Sequence, residues 1–314
     1  MRAMKSHPMR TTVCLGLLLL LSGLRPDADA AIAGVEHVII IGVDGFSPRG
    51  LVRARTPHLK ELIASGAHTL HARAVMPTSS SPNWASMIMG AGPEQHGVTS
   101  NDWQTNKFEI APIATGPTGI FPTIFGVVRD QRPDSVIACF HDWDGFGRLL
   151  ERTAPNVIEH VKDAIETTTR TVRYLKTQKP NFLFVHFDCV DHAGHGFGWD
   201  SPQYDRAVEL VDSLVSALLD ALTATGMREK SILLITADHG GKGTSHGGPT
   251  MEEIEIPWII NGPGVAKGLE IKTPVNTYDT APTVAHILGV NPPACWIGKP
   301  VLEAFQSGGS GRKN

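Results

Sequence analysis

The sequence predicts an α/β fold: a doubly wound, mostly parallel central sheet with helices on both faces and no large cap domain. Three observations carry this. Uniformly apolar runs recur along the chain, as expected of strands covered on both faces. Segments of helical periodicity separate those runs, and such alternation gives a parallel sheet wrapped by helices. There are no internal repeats and no insertion large enough for an independent second domain.

The chain has 314 residues. Residues 1–30 read as a cleavable signal peptide rather than as part of the fold. MRAMKSHPMR supplies positive charge, TTVCLGLLLLLSGL an apolar run too short for a membrane span, and Ala28-Asp29-Ala30 a small-residue cleavage site. The mature protein is expected to be secreted or periplasmic, with no membrane segment. Residues 31–305 are expected to form a single domain, and residues 306–314 a flexible tail.

Within the domain, HVIIIGVD (37–44) is the first buried strand. TPHLKELIASG reads as a helix with Thr56 as N-cap and Gly66 at its end. SVIACF (135–140) is a second strand, and helical periodicity runs from Asn156 to Gln178. NFLFVHFD (181–188) is a third strand. Ser201 caps a long helix carrying Val208, Val211, Leu214, Val215, Leu218 and Leu222 at helical spacing. SILLITA (231–237) and IPWIIN (256–261) are further strands, and Thr280 to Leu288 is the last helix. Residues 104–123, rich in Gly, Pro and Thr, read as a surface loop.

The net charge is −3, so no nucleic-acid-binding surface is implied. Of the cysteines, Cys14 lies in the leader. Cys139, Cys189 and Cys295 have no metal-type spacing, and one disulfide among them is compatible with an oxidising compartment. Cys139 and Cys189 are expected inside strands.

The chemistry-bearing residues fall where apolar strands run out, which is where open α/β sheets bind ligands. They are Asp44 in VDG, Asp191 and His195 in DHAGH, Asp238 and His239 in DHGG, and His246 in SHGG. Asp-Gly alone is a common turn pair, and an isolated DxxxH arises by chance. Together, three carboxylates at the mouth of an apolar sheet would repel one another without cations. Mixed carboxylate and imidazole ligands without thiolate suit two divalent ions, zinc first, with manganese or iron as alternatives. MPTSSSPNWASMIMG adds hydroxyls at a helix start, where an anion is favoured. Ser80 is the candidate nucleophile; its neighbours read as capping or solvated hydroxyls.

The arrangement resembles the alkaline phosphatase superfamily, most closely its nucleotide pyrophosphatase/phosphodiesterase (type I phosphodiesterase) branch, from about His37 to Leu288. Pro77-Thr78-Ser79-Ser80-Ser81-Pro82-Asn83 lines up with that branch's nucleophile segment, Pro-x-x-Thr-x-Pro-Asn. The resemblance implies an alkaline-phosphatase-like fold. It implies one metal held by Asp44, Ser80, Asp238 and His239, and a second by Asp191, His195 and His246. PEQHGVTSN resembles the family's PExHG segment and implies that Asn101 holds a phosphate oxygen. The implied substrate is a small phosphate ester, hydrolysed through a phospho-Ser80 intermediate. Three departures stand out: Ser replaces the usual Thr, His246 follows His239 closely, and the branch's Trp-Pro-Gly appears only as Trp143-Asp144-Gly145.

Charge decides between substrate classes. Two divalent ions are balanced by three Asp and a Ser80 alkoxide, and no Arg or Lys lies in the nucleophile motif. A monoanionic diester or pyrophosphate link is therefore expected, with phosphomonoesterase as the alternative. A sulfatase is disfavoured because Ser80-x-Pro82-x-Trp84 lacks the Arg of the sulfatase motif. A catalytically inactive binding protein would be free to lose ligands that are all kept here. Asp188 and His186 are expected to support the ligands, His96 to brace the loop before Asn101, and His58, His68, His71, His160 and His286 to be structural and without partners.

Overall fold

The computed structural model describes residues 31–306; the expected signal peptide and nearly all of the expected tail lie outside the described residues. One sheet of eight strands runs through it: β1 (His37–Val43), β2 (Ala67–Arg73), β3 (Ile137–His141), β4 (Val157–His160), β5 (Phe182–Phe187), β6 (Ser231–Thr236), β7 (Glu255–Asn261) and β8 (Leu269–Glu270). Their spatial order is β4-β3-β5-β1-β6-β7-β2-β8. The five strands β4 to β6 pair in parallel, whereas β7 is antiparallel to both β6 and β2. The doubly wound, mostly parallel sheet expected from the sequence is therefore present.

Helices cover the sheet in two packed groups. Pro57–Ser65, Ala164–Gln178 and Pro202–Ala224 pack on one another, and Ser80–Met89, Ile124–Gln131 and Thr280–Leu288 form the second group. Every residue of β1, β5 and β6 is buried. Each of Ile39, Ile40 and Ile41 removes a side chain from water, an effect of roughly 1.5–3 kcal/mol per residue.

Four local expectations need correction. Helical periodicity from Asn156 misplaces the first residues: Val157–His160 is the edge strand β4, and the helix starts at Ala164 behind Asp163, whose carboxylate accepts from Glu166 N–H. Thr56 occupies the N-cap position without making the cap bond; its hydroxyl donates to the Leu51 carbonyl instead. Cys189 opens a helix, Cys189–Phe197, rather than lying in a strand. Cys139, Cys189 and Cys295 are all free thiols. Ser201 does cap the long helix, accepting from Tyr204 N–H at 3.1 Å.

One close approach locks the segment of Ser80 to the sheet. Trp84, fully buried on the Ser80–Met89 helix, lies against Gly42 of β1, where a Cβ would come within 2.6 Å of the indole. The same indole donates Nε1–H to Asp44 Oδ2 at 3.0 Å. Gly42 thus lets the helix carrying Ser80 sit directly on the strand that delivers Asp44. Gly42→Ala should lower unfolding stability by about 1–3 kcal/mol, the cost of overpacking a filled core. Gly196→Ala, where a Cβ meets nothing within 4 Å, should not lower it. Urea denaturation of the two variants checks this, and equal midpoints would show that Trp84 can yield.

Candidate active site

Strand order builds the site. β5, β1 and β6 are adjacent and parallel, with Val43 opposite Phe187 and Gly42 opposite Thr236. Neighbouring strands lie about 4.8 Å apart, so the segments leaving their carboxyl ends emerge side by side. Asp44 follows β1, Asp191 sits in the first turn of the helix after β5, and Asp238 and His239 follow β6. Gly45 turns the chain at φ +65°, and its N–H donates to Asp238 Oδ1 at 3.1 Å. A Cβ there would meet Asp191 Oδ1 at 2.8 Å, so the Asp-Gly pair is both a turn and part of the site.

The three imidazoles share one orientation. Nδ1 of His195 faces the Thr244 carbonyl at 2.9 Å, that of His239 the Gly240 carbonyl at 2.8 Å, and that of His246 the Thr78 carbonyl at 2.8 Å. A carbonyl only accepts, so Nδ1 carries the proton, and in the neutral ring Nε2 presents a lone pair. Those lone pairs point at one another and at carboxylates. His195 Nε2 and His246 Nε2 are 3.1 Å apart. Asp191 lies 3.4 Å from the first and 3.7 Å from the second. His239 Nε2 lies 3.1 Å from Asp238 Oδ2, 3.4 Å from Asp44 Oδ1 and 3.3 Å from Ser80 Oγ. The rings of His239 and His246 stack at 3.7 Å and join the two clusters.

Three buried carboxylate oxygens, Asp44 Oδ1, Asp191 Oδ1 and Asp238 Oδ2, have no hydrogen-bond partner. Acceptors crowded against acceptors in a dry site fit a cation, because a positive ion is what would satisfy them all. Asp44, Asp238 and His239 lie close enough to share one ion, as do Asp191, His239 and His246, and as do Asp44, Asp188 and Asp191.

Burial strains this charge cluster. Burial, with the charges of Asp44 and Asp188, pushes Asp191 up to about 9. Burial and the charges of Asp44 and Asp191 raise Asp238 well above the carboxylate range. Asp44 goes the other way. Burial opposes its charge, but the His186 hydrogen bond, the fields of His239 and His186 and the Trp84 N–H together hold it at about 2. His186 bridges Asp44 (3.4 Å) and Asp142 (3.2 Å), so it lies directly behind one of the candidate ligands.

Ser80 is the first residue of the Ser80–Met89 helix and is almost fully buried. Its neighbours hold the segment in place. Thr78 Oγ1 donates to the Gly248 carbonyl at 2.7 Å and accepts from Gly247 N–H at 3.0 Å, tying the segment to the loop of His246. Asn83 accepts from Val75 N–H and donates to the carbonyls of Val75, Pro77 and Ser79. Asn101 Oδ1 accepts from Ser81 N–H at 2.8 Å, which leaves the Asn101 amide NH₂ facing away from that bond. One free N–H expected at the helix start is therefore already occupied. His96 braces the preceding loop through Ser86 Oγ (2.9 Å) and Val98 N–H (3.0 Å).

Sequence reasoning missed two features. Arg148, far from the nucleophile in sequence, donates Nη2–H to the Asn101 carbonyl and lies 3.4 Å from Ser81 Oγ. Several histidines read as lone have partners: His58 with Asp212 at 3.2 Å, His71 with Glu255 at 3.0 Å and His160 with Asp144 at 3.8 Å. Lys242 pairs with Glu252 at 3.7 Å, outside the site.

Comparison with known proteins agrees with this architecture. A family model described as type I phosphodiesterase / nucleotide pyrophosphatase matches residues 38–256. The rat ectonucleotide pyrophosphatase/phosphodiesterase family member 3 is 26% identical over 222 residues, covering 66% of this chain and 25% of that protein. Human bis(5'-adenosyl)-triphosphatase ENPP4 is 24% identical over 241 residues, covering 74% and 53%. The chain thus spans about a quarter to a half of the length of these relatives. In structure it is similar to an inactive murine ectonucleotide pyrophosphatase/phosphodiesterase 5 in complex with AMP, with TM-score 0.73, 16% identity, and 86% of this chain and 100% of that chain covered. This chain belongs to the type I phosphodiesterase/nucleotide pyrophosphatase family, within the alkaline phosphatase superfamily.

Proposed function

We propose that the protein is a metal-dependent phosphodiesterase or pyrophosphatase acting on a small phosphate ester through Ser80. The observation that carries this is the cluster of converging Nε2 atoms and unpartnered carboxylate oxygens, with Ser80 Oγ 3.3 Å from His239 Nε2 at its edge. Asp44, Asp238, His239 and Ser80 would hold one divalent ion, and Asp191, His195 and His246 the other. Zinc suits the donor set. Bound there, such ions lower the pKa of a coordinated hydroxyl and offset charge on phosphoryl oxygens.

The residues of the chain do the rest. Ser80 Oγ attacks phosphorus as the leaving alkoxide departs and takes up a proton, which leaves the phosphoryl group with its retained ester on Ser80; water then breaks the Ser80–phosphorus link, releasing a phosphomonoester and restoring the hydroxyl. The Asn101 amide donates to a nonbridging oxygen, held in place by Ser81 N–H. The Thr78 and Asn83 hydrogen bonds fix the backbone so that Ser80 needs no rearrangement to attack. Residues 31–305 are proposed to act as one domain, exported by the leader at 1–30. Among the described residues no helix is long and apolar enough to cross a membrane.

One observation favours a second reading, a phosphomonoesterase. Arg148 reaches Ser81 and Asn101 and supplies the cation that the nucleophile motif lacks. With zinc-loaded protein, bis(p-nitrophenyl) phosphate should be hydrolysed faster than p-nitrophenyl phosphate, and a faster monoester would reverse the order of the two readings. Ser80→Ala should lower the rate by at least about 10³-fold while zinc still raises the melting temperature. Protein acid-quenched during turnover of bis(p-nitrophenyl) phosphate should carry a p-nitrophenyl phosphoryl group on Ser80 by mass spectrometry. An undiminished Ser80→Ala rate would remove the nucleophile assignment.

Ion uptake should be coupled to protons. In the metal-free protein Asp191, pushed up to about 9, holds a proton at pH 7, and Asp238 is raised in the same direction. Coordination needs the carboxylates, so binding releases protons and affinity climbs as pH rises toward that value. Zinc titration calorimetry at pH 7 should give heats that vary with the ionisation enthalpy of the buffer. Buffer-independent heats would contradict this.

A further inference from the structure

A cavity of about 600 Å³ opens beside the nucleophile segment, lined by Gln104, His141, Arg148, Arg152, Asn156 and His160 among others. None of the six candidate metal-binding side chains lines it. Its link to the site is Arg148, whose Nη2 contacts both the Asn101 carbonyl and Ser81 Oγ. Arg148 Nε is buried without a hydrogen-bond partner.

The lining is cationic, and its rings are the imidazoles of His141 and His160, stacked on each other at 5.2 Å. Arg148 and Arg152 bring two positive charges, and neither makes an ion pair among the described residues. The carboxylate of the lining, Asp144, is almost fully exposed and lies 3.8 Å from His160. Burial lowers His141 to about 4, so its ring is neutral at pH 7. No Phe, Tyr or Trp lines the cavity. Trp143, close in sequence, is already engaged: the Arg148 guanidinium lies 5.9 Å from its ring, and it stacks with His186 at 6.2 Å. A nucleobase would find no Phe, Tyr or Trp to stack on, whereas an anion would find two guanidinium groups with free donors.

We propose that this cavity is a subsite for an anionic, non-aromatic substituent on the phosphorus: the ester group that stays on phosphate when the leaving group departs. In-line displacement sends the leaving group away from Ser80 Oγ. The cavity meets the site at Arg148, which contacts Ser81 and Asn101 beside the nucleophile rather than opposite it, so the group it takes is the retained one. Substrates of this class are phosphodiesters whose retained ester carries a carboxylate or a second phosphate. The proposal rests on the phosphodiesterase reading above.

The test uses zinc-loaded full-length protein and p-nitrophenyl phosphodiesters with one leaving group and four retained esters: ethyl, 2-carboxyethyl, 2-phosphoethyl and thymidine-5'-yl. A charged ester should exceed the ethyl ester in kcat/KM by at least about tenfold, the effect of one charge-assisted hydrogen bond. The thymidine ester should match the ethyl ester within about threefold. Which charged ester leads identifies carboxylate or phosphate as the recognised group. In Arg152→Met, an exposed position where folding is not at stake, and in Arg148→Met, the charged-to-neutral ratio should fall toward one, and Arg148→Lys should restore part of it. A preference for the thymidine ester, equal rates on all four, or a charged preference that survives both Met substitutions would overturn the subsite and leave the phosphodiesterase reading standing. A p-nitrophenyl phosphate rate above every diester would assign the arginines to the transferred phosphoryl group and overturn it too. Absence of turnover on all of them would overturn both.

Discussion

Crowded acceptors in a dry site are the constraint on which the rest depends. Asp44, Asp191 and Asp238 gather at the mouth of a sheet whose central strands are wholly buried, and His195, His239 and His246 aim lone pairs into the same space. Protons alone satisfy this poorly: two carboxyls must be forced to hold them well above their ordinary range, and two imidazole nitrogens face each other at 3.1 Å. Positive ions resolve both problems at once. The fold is therefore best understood as a scaffold that keeps incompatible groups together until cations join them.

The scaffold achieves this with few contacts of high consequence. Trp84 connects the helix of Ser80 to Asp44, and Gly42 makes room for it. Thr78 connects the same segment to the loop of His246. Gly45 N–H connects the β1 turn to Asp238, and the Gly45 carbonyl accepts from Trp199 and Tyr204, both at 2.8 Å. Ser80 and the clustered Asp and His side chains are thus referenced to one another through Trp84, Thr78 and Gly45.

Much of this was legible in the sequence, for physical reasons. Strands buried on both faces must be apolar along their whole length, so β1, β5 and β6 stood out, and the polar residues that follow them had to share one edge. Edge strands carry no such mark. Val157–His160 is half-exposed, and its alternation was read as part of the following helix. Contacts between distant segments were also invisible. Nothing local in Phe146–Leu149 says that Arg148 will reach Asn101, and nothing in Asn83 says that it will bind three carbonyls. Contacts of this kind decide what surrounds the clustered carboxylates and imidazoles, which is why the cluster was legible in the sequence and its surroundings were not.

The most direct test of the central claim is anomalous diffraction at the zinc edge from crystals grown with zinc. The account predicts two peaks: one bounded by Asp44, Ser80, Asp238 and His239, the other by Asp191, His195 and His246. A map with no peak among these side chains, with the three carboxylates still gathered, would contradict it.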